Sequence, residues 1–188
     1  MSNEEIIREY LHICSFCARR DQYLFVFSDD NFYDEKGDKL FQDIMAMPSY
    51  YLTNAEFEIF EKQKAEICDV FDTNRGFDLI ELGAGDGKKT KILLKHLKEQ
   101  GIDFTYLPID ISQHVLKGLK TSVEAEIPGV IIKPQQGTYF EVLKDLVNYN
   151  NRKKVIMVLG SNIGNLLHPK AIEFLRNIQL ATHILTGC

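Results

Sequence analysis

No apolar run in the 188 residues comes near the ~20 that a membrane span requires; runs such as Val155–Leu159 are only strand length. The start, Met1-Ser2-Asn3-Glu4-Glu5, has neither the positive charge nor the apolar stretch of a secretory signal, so a cytoplasmic setting is expected. No Lys/Arg stripe offsets the net charge of −5, which repels a phosphate backbone and argues against nucleic acid as a partner. Internal repeats, low-complexity tracts and dividing linkers are also lacking, which excludes solenoids and disordered arrays. Cysteine is scarce, at four residues. Cys14-Ser15-Phe16-Cys17 has the spacing of a redox or zinc pair, but Cys68 and Cys188 stand alone, and tetrahedral zinc needs two more ligands at a short second spacing. A redox pair would follow a strand of a βαβ unit, whereas this one falls on the apolar side of an amphipathic segment. Buried free thiols, and no metal, are the expectation.

What is present reads as a folded chain: hydrophobic residues make up 45% and charged residues 26%. The length suits one α/β domain with a smaller helical extension. Ile6, Ile7, Tyr10, Leu11 and Cys14 recur at helical spacing, which predicts one amphipathic helix over the first twenty residues. An aromatic cluster follows (Tyr23, Phe25, Phe27, Phe32, Tyr33), then a second helical pattern halted before Pro48. A third helix is expected from the capping box Thr53-x-x-Glu56. From Phe77 onward β-rich runs alternate with helical patterns, the signature of a parallel βαβ sheet. Strands are expected at Phe77–Leu82, Phe104–Ile109, Val130–Lys133 and Val155–Leu159. Helices are expected at Lys88–Glu99, Ser112–Glu126, Glu141–Tyr149 and from Pro169. The boundary between the helical N-terminal region and the sheet domain is placed between residues 72 and 73.

The first strand of that sheet runs into Glu81-Leu82-Gly83-Ala84-Gly85-Asp86-Gly87, and a helix starts directly afterward. Glycines let backbone approach a ligand closely and accept positive φ, and the helix N-terminus supplies unpaired N–H groups. The spacing is G-x-G-x-G; a dinucleotide site wants G-x-G-x-x-G, but position 88 is Lys, which disfavours a pyrophosphate and an NAD-dependent oxidoreductase. Glu81 in front of the turn suits a ligand with positive charge, such as S-adenosylmethionine (SAM) with its ammonium and sulfonium. Asp110 ends the next strand at the ~20-residue spacing where an acid takes both ribose hydroxyls in doubly wound folds. After the third strand, Gly137-Thr138-Tyr139 reads equally as an adenine contact, by Tyr139 stacking or Thr138 hydrogen bonding, and as a turn with a core tyrosine. Gly160-Ser161-Asn162-Ile163-Gly164-Asn165-Leu166 follows the fourth strand, where ligands gather, and Asn165 there is a candidate for a substrate amine or carboxylate; a plain Gly/Asn turn competes.

These residues together resemble the histidine-specific SAM-dependent methyltransferase family. The resemblance runs from about Phe32 to Arg176. It is carried by Phe32-Tyr33-Asp34-Glu35-Lys36-Gly37, Pro48-Ser49-Tyr50-Tyr51-Leu52-Thr53-Asn54-Ala55-Glu56, the Glu81–Thr90 block and Leu159-Gly160-Ser161-Asn162-Ile163-Gly164-Asn165. It implies a Rossmann-like, doubly wound parallel sheet of the methyltransferase type, with residues 1–72 as a helical substrate-side region and 73–188 binding SAM. It also implies that Gly83, Gly85, Gly87, Lys89, Asp110, Thr138 and Tyr139 surround the cofactor, with Glu81 in front of them. Tyr51, Gly160 and Asn165 would face an amino-acid substrate, Tyr51 and Asn165 orienting its amine. The implied reaction is methyl transfer to the α-amino group of L-histidine or a tryptophan derivative. The wording Tyr-Tyr-Leu-Thr-Asn and Gly-Thr-Tyr looks closer to the ergot-alkaloid branch than to the bacterial histidine enzymes.

Family members continue with further strands, whereas this chain stops at Cys188, and the helix from Pro169 meets Thr182–Gly187 with few turn residues between. The expectation is therefore an incomplete sheet, with the Val155–Leu159 strand at or near an edge that seeks a partner, including a second copy. A non-catalytic SAM-binding or scaffold protein is the alternative reading.

Overall fold

The computed structural model describes residues 14–19, 22–27, 51–71, 76–147, 152–159 and 167–183, the first two segments by their backbone. They fall into two compact units, Met1–Phe57 and Glu58–Cys188. In the first unit β1 (Cys14–Arg19) and β2 (Gln22–Phe27) form an antiparallel hairpin, with Cys14 opposite Phe27 and Arg19 opposite Gln22. Over Cys14–Arg19 this corrects the helix expected across the first twenty residues; residues 1–13 lie outside the described residues. A β-rich partner, Gln22 to Phe27, begins after only two intervening residues, and cross-strand pairing there overrides the helical spacing that ends at Cys14.

Helix α1 (Tyr51–Asp69) crosses from the first unit into the second. It begins two residues before Thr53, so the expected capping box lies inside its first turn. The compact units divide within α1 rather than after residue 72, because Phe60 and Cys68 on its later turns join the core of the second unit.

The second unit is a parallel sheet with helices on both faces. Its strands are β3 (Phe77–Leu82), β4 (Phe104–Asp110), β5 (Ile131–Ile132), β6 (Gln135–Gln136) and β7 (Lys153–Val158), in the order β5-β4-β3-β7 with β6 also on β4. The helices between them are α2 (Thr90–Glu99), α3 (Gln113–Glu126) and α4 (Tyr139–Val147), and α5 (His168–His183) follows β7. Alternate residues of β3 and β4 face opposite layers. Phe77, Leu79, Phe104 and Tyr106 pack with Leu93, Leu94, Leu97, Leu119 and Val123, while Ile80, Leu82, Leu107 and Ile109 pack with Val142, Leu143 and Phe174. Every residue of the central strand β3 is buried, Asp78 and Glu81 included. Truncating any one of the fully buried leucines of α2 removes roughly 2–5 kcal/mol of stability.

Three strands differ in bounds from the sequence reading: β4 runs one residue further, to Asp110, and two others differ for visible reasons. The expected strand Val130–Lys133 is shortened to β5, and β6 follows as a separate strand, because Pro134 has no N–H to continue the ladder; Lys133 N still donates to Tyr106 O at 2.8 Å. β7 starts at Lys153, two residues before the apolar run, since Lys154 sits buried opposite Asp78 in the β3 register. Burial holds the Lys154 ammonium below its usual pKa, and the Asp78 charge opposes that shift. Among the described residues β7 pairs with β3 alone.

Candidate cofactor site

The strand order reverses at β3, with β4 on one side and β7 on the other, and such a switch point leaves a crevice at the carboxyl ends of the strands. There β3 leads into a turn in which Gly83, Gly85 and Gly87 have φ of 73°, 54° and 60°. The turn is fastened to β4: the N–H groups of Gly83 and Ala84 donate to Ile109 O at 2.9 and 3.2 Å, and that of Gly85 donates to Asp110 Oδ2 at 3.1 Å. Two of the glycines serve different ends. A Cβ on Gly87 would lie 2.4 Å from Cδ1 of Leu119 on α3, whereas one on Gly85 would meet nothing within 4 Å. Gly87 thus lets helix and turn pack, and Gly85 faces open space.

Asp110 stands at the tip of β4. Its Oδ1 accepts from Ser112 N at 3.0 Å, and Ser112 Oγ in turn accepts from Val115 N to cap α3. Each carboxylate oxygen therefore takes one backbone N–H and keeps capacity for a further donor, such as a ribose hydroxyl.

Glu81 is placed differently from the sequence expectation. It is 3% exposed, beneath the turn rather than on its open side. Thr90 Oγ1, at the start of α2, donates to Glu81 Oε1 at 2.6 Å, and the Tyr106 hydroxyl on β4 donates to Oε2. Burial pushes the Glu81 pKa up to about 7, against the hydrogen bonds from Thr90 and Tyr106 and the Lys89 charge, which lower it. Tyr106 and Thr90 were missed by sequence reasoning. The available signal was a tyrosine in the otherwise apolar centre of β4, where a buried hydroxyl needs a partner.

Lys89 lies half-buried in the last step of the turn, and Lys88 pairs with Asp86 at 2.8 Å. The third segment, Gly137-Thr138-Tyr139, is brought beside Asp110: Gln136 is its register partner, and Gly137 N donates to Asp110 O at 3.1 Å. Thr138 and Glu141 form a reciprocal cap on α4. Thr138 N and Oγ1 donate to Glu141 Oε2 at 3.1 and 2.7 Å, and Glu141 N donates to Thr138 Oγ1 at 3.4 Å. The Tyr139 ring packs at 5.6 Å from that of Phe174 on α5. Tyr51 is the exposed first residue of α1 in the other unit, and Gly160 and Asn165 lie outside the described residues.

A doubly wound parallel sheet with a bare glycine turn at the tip of its central strand, and an acid at the tip of the neighbouring one, defines an α/β nucleoside-binding fold of the Rossmann-like kind. The magnesium protoporphyrin IX methyltransferase of Synechocystis PCC 6803, solved with bound SAM, shares this fold: TM-score 0.50, 13% identity, 79% of this chain and 67% of that one. The profile of the family described as "Histidine-specific methyltransferase, SAM-dependent" matches residues 21–187, and the chain belongs to that family.

Histidine N-alpha-methyltransferase of Mycobacterium tuberculosis (strain CDC 1551 / Oshkosh) is 35% identical over 144 residues, covering 77% of this chain and 43% of that protein. The 4-dimethylallyltryptophan N-methyltransferase of Claviceps fusiformis is 27% identical over 160 residues, covering 83% of this chain and 44% of that protein. The chain thus spans less than half the length of these relatives. Of these two, the mycobacterial enzyme has the higher identity.

The residues present fit SAM, the cofactor of the family. Gly85 leaves a side of the turn bare, and Asp110 offers acceptors beside it.

Proposed function

We propose that the chain holds SAM on the Gly83–Gly87 turn and serves methyl transfer to the α-amino group of an amino acid, L-histidine ahead of a tryptophan derivative. The Asp110–Gly85 pairing carries the reading, because it sets a carboxylate against an uncovered stretch of backbone at the switch point. SAM supplies a methyl group on a sulfonium, ready for in-line displacement by a neutral amine. The chain's own part is positional. Asp110 accepts from the ribose hydroxyls, the glycine backbone lies along the ligand, and Lys89 flanks it. The Gly137–Tyr139 segment walls the adenine side. Tyr51, Gly160 and Asn165 are assigned to the amino-acid substrate, Tyr51 and Asn165 orienting its amine. The precedence of L-histidine rests on the higher identity to the mycobacterial enzyme.

The reading includes a cytoplasmic protein and pairing of two copies along β7, an edge among the described residues. A monodisperse monomer in light scattering at micromolar concentration overturns the pairing. Incubation with methyl-labelled SAM and either L-histidine or a tryptophan derivative tests the activity. Labelled Nα-methylhistidine supports it, and binding without any methylated product refutes the transfer.

A further inference from the structure

The carboxylate under the glycine turn ties three elements together. Glu81 leaves β3 two residues before Gly83, Thr90 opens α2 directly after the turn, and Tyr106 stands on β4; all three side chains are buried. The Thr90 bond to Oε1 thus joins the two ends of the turn, and the Tyr106 bond to Oε2 fixes that junction to the neighbouring strand. From its other side the turn is held by Ile109 O and Asp110. A segment with three left-handed glycines is soft by itself, and these two sets of bonds decide its height.

Folding alone does not account for an acid in this place. Glutamine has the same shape and can satisfy both hydroxyls, accepting from one through its oxygen and donating to the other through its amide nitrogen, without the desolvation that an ionised carboxylate suffers. The charged groups facing Glu81 are Lys89 from the turn, which favours its ionised form, and Asp110 from β4, which opposes it. Its register neighbours on the flanking strands, Pro108 and Met157, carry no charge. A costly negative charge directly beneath a bare turn points to a cation bound above it.

We propose that Tyr106 and Thr90 are positioning residues of the cofactor site: through Glu81 they set the height of the Gly83–Gly87 turn and favour the ionised form of the carboxylate beneath it, so that binding a cationic nucleoside is linked to release of the Glu81 proton. The inference rests on the turn being the SAM site. Its consequence is a discrimination. SAM carries a sulfonium charge and its demethylated product does not, so the two ligands differ in how strongly they feel Glu81. Below neutral pH the carboxylate takes up its proton, and the preference for the cation falls.

Calorimetric titration of the full chain with SAM and with S-adenosylhomocysteine, between about pH 8.5 and about pH 6, tests this, since one unit of linkage is a tenfold change in affinity. SAM affinity is expected to fall about tenfold across that range and S-adenosylhomocysteine affinity about twofold or less. Tyr106→Phe and Thr90→Val each remove a donor to the ionised form, so each moves the SAM midpoint upward, by about one pH unit. Thr90→Ser restores the wild-type profile, and Glu81→Gln flattens it. Parallel pH profiles for the two ligands in the wild-type chain overturn the inference and leave SAM binding intact; that comparison needs no variant to fold. A Tyr106→Phe protein that melts like wild type and keeps its pH profile overturns it too. Absence of any binding by the wild-type chain overturns instead the assignment of the cofactor site.

Discussion

Asp110 Oδ2 accepts the backbone hydrogen of Gly85 at 3.1 Å, across the tips of two adjacent strands. That bond makes one carboxylate both a brace for the turn and the acceptor proposed for the ribose. Asp110→Ala removes both roles and is expected to weaken SAM binding by tenfold or more, about 1.4 kcal/mol, in calorimetry. Asp110→Asn keeps an acceptor for Gly85 but loses the charge and offers one acceptor oxygen where Asp offers two; an intermediate loss is expected. Unchanged affinity in Asp110→Ala would remove the basis of the cofactor assignment.

Gly85 and Gly87 separate ligand approach from packing. Alanine at either position must adopt positive φ, at a cost of about 1–2 kcal/mol. At Gly87 the new methyl also meets Leu119, which is buried in the core and cannot swing away, adding about 1–3 kcal/mol. Urea unfolding should therefore show Gly87→Ala as the less stable protein. At Gly85 the methyl enters open space where the ligand is proposed to lie, so SAM affinity should fall further in Gly85→Ala than its loss of stability explains. The reverse order in both measurements would mean that the turn faces the other way.

The sheet and the turn were legible in the sequence because β3 and β4 are buried on both faces and read as short apolar runs ended by glycine or Asp. Phe77–Leu82 is a strand with the expected bounds, and Asp110 reaches the turn from the expected place. Less legible was whatever depends on a partner distant in sequence. Lys154 is part of a strand because Asp78 lies opposite it, and Cys14–Arg19 is extended because a pairing strand follows. Glu81 was read by its position in front of a glycine motif. Its actual direction was set by Tyr106, 25 residues away, which no local pattern reports.

The raised pKa of Glu81 makes a statement about stability whose sign is opposite to that of most paired acids. Its proton is held up to about 7 in the folded chain against a usual value of 4.5, so the native state binds the extra proton and loses stability as pH rises through that window. Glu81→Gln has no such penalty. Relative to wild type, the variant is expected to gain stability from about pH 4.5 to about pH 7, by on the order of 3 kcal/mol, and to hold a constant difference above. Urea melts at a series of pH values check this; a difference that does not vary with pH would mean that Glu81 is ionised throughout.

Thr138 and Glu141 provide a means of telling a wall from a contact at the adenine side. The Thr138 hydroxyl gives its proton to Glu141 and receives the Glu141 N–H, so its role in the fold is to begin α4 beside Asp110. Thr138→Ala breaks the cap by removing the hydroxyl, and Glu141→Gln weakens the same cap while leaving the hydroxyl in place. Each is expected to lower stability, Thr138→Ala by about 1 kcal/mol and Glu141→Gln by less. If Gly137–Tyr139 acts as a wall whose position the cap sets, SAM affinity should fall in proportion to that loss in both variants. A drop in affinity with Thr138→Ala well beyond that proportion would instead show the hydroxyl touching the base directly, since the cap's share is already measured by Glu141→Gln.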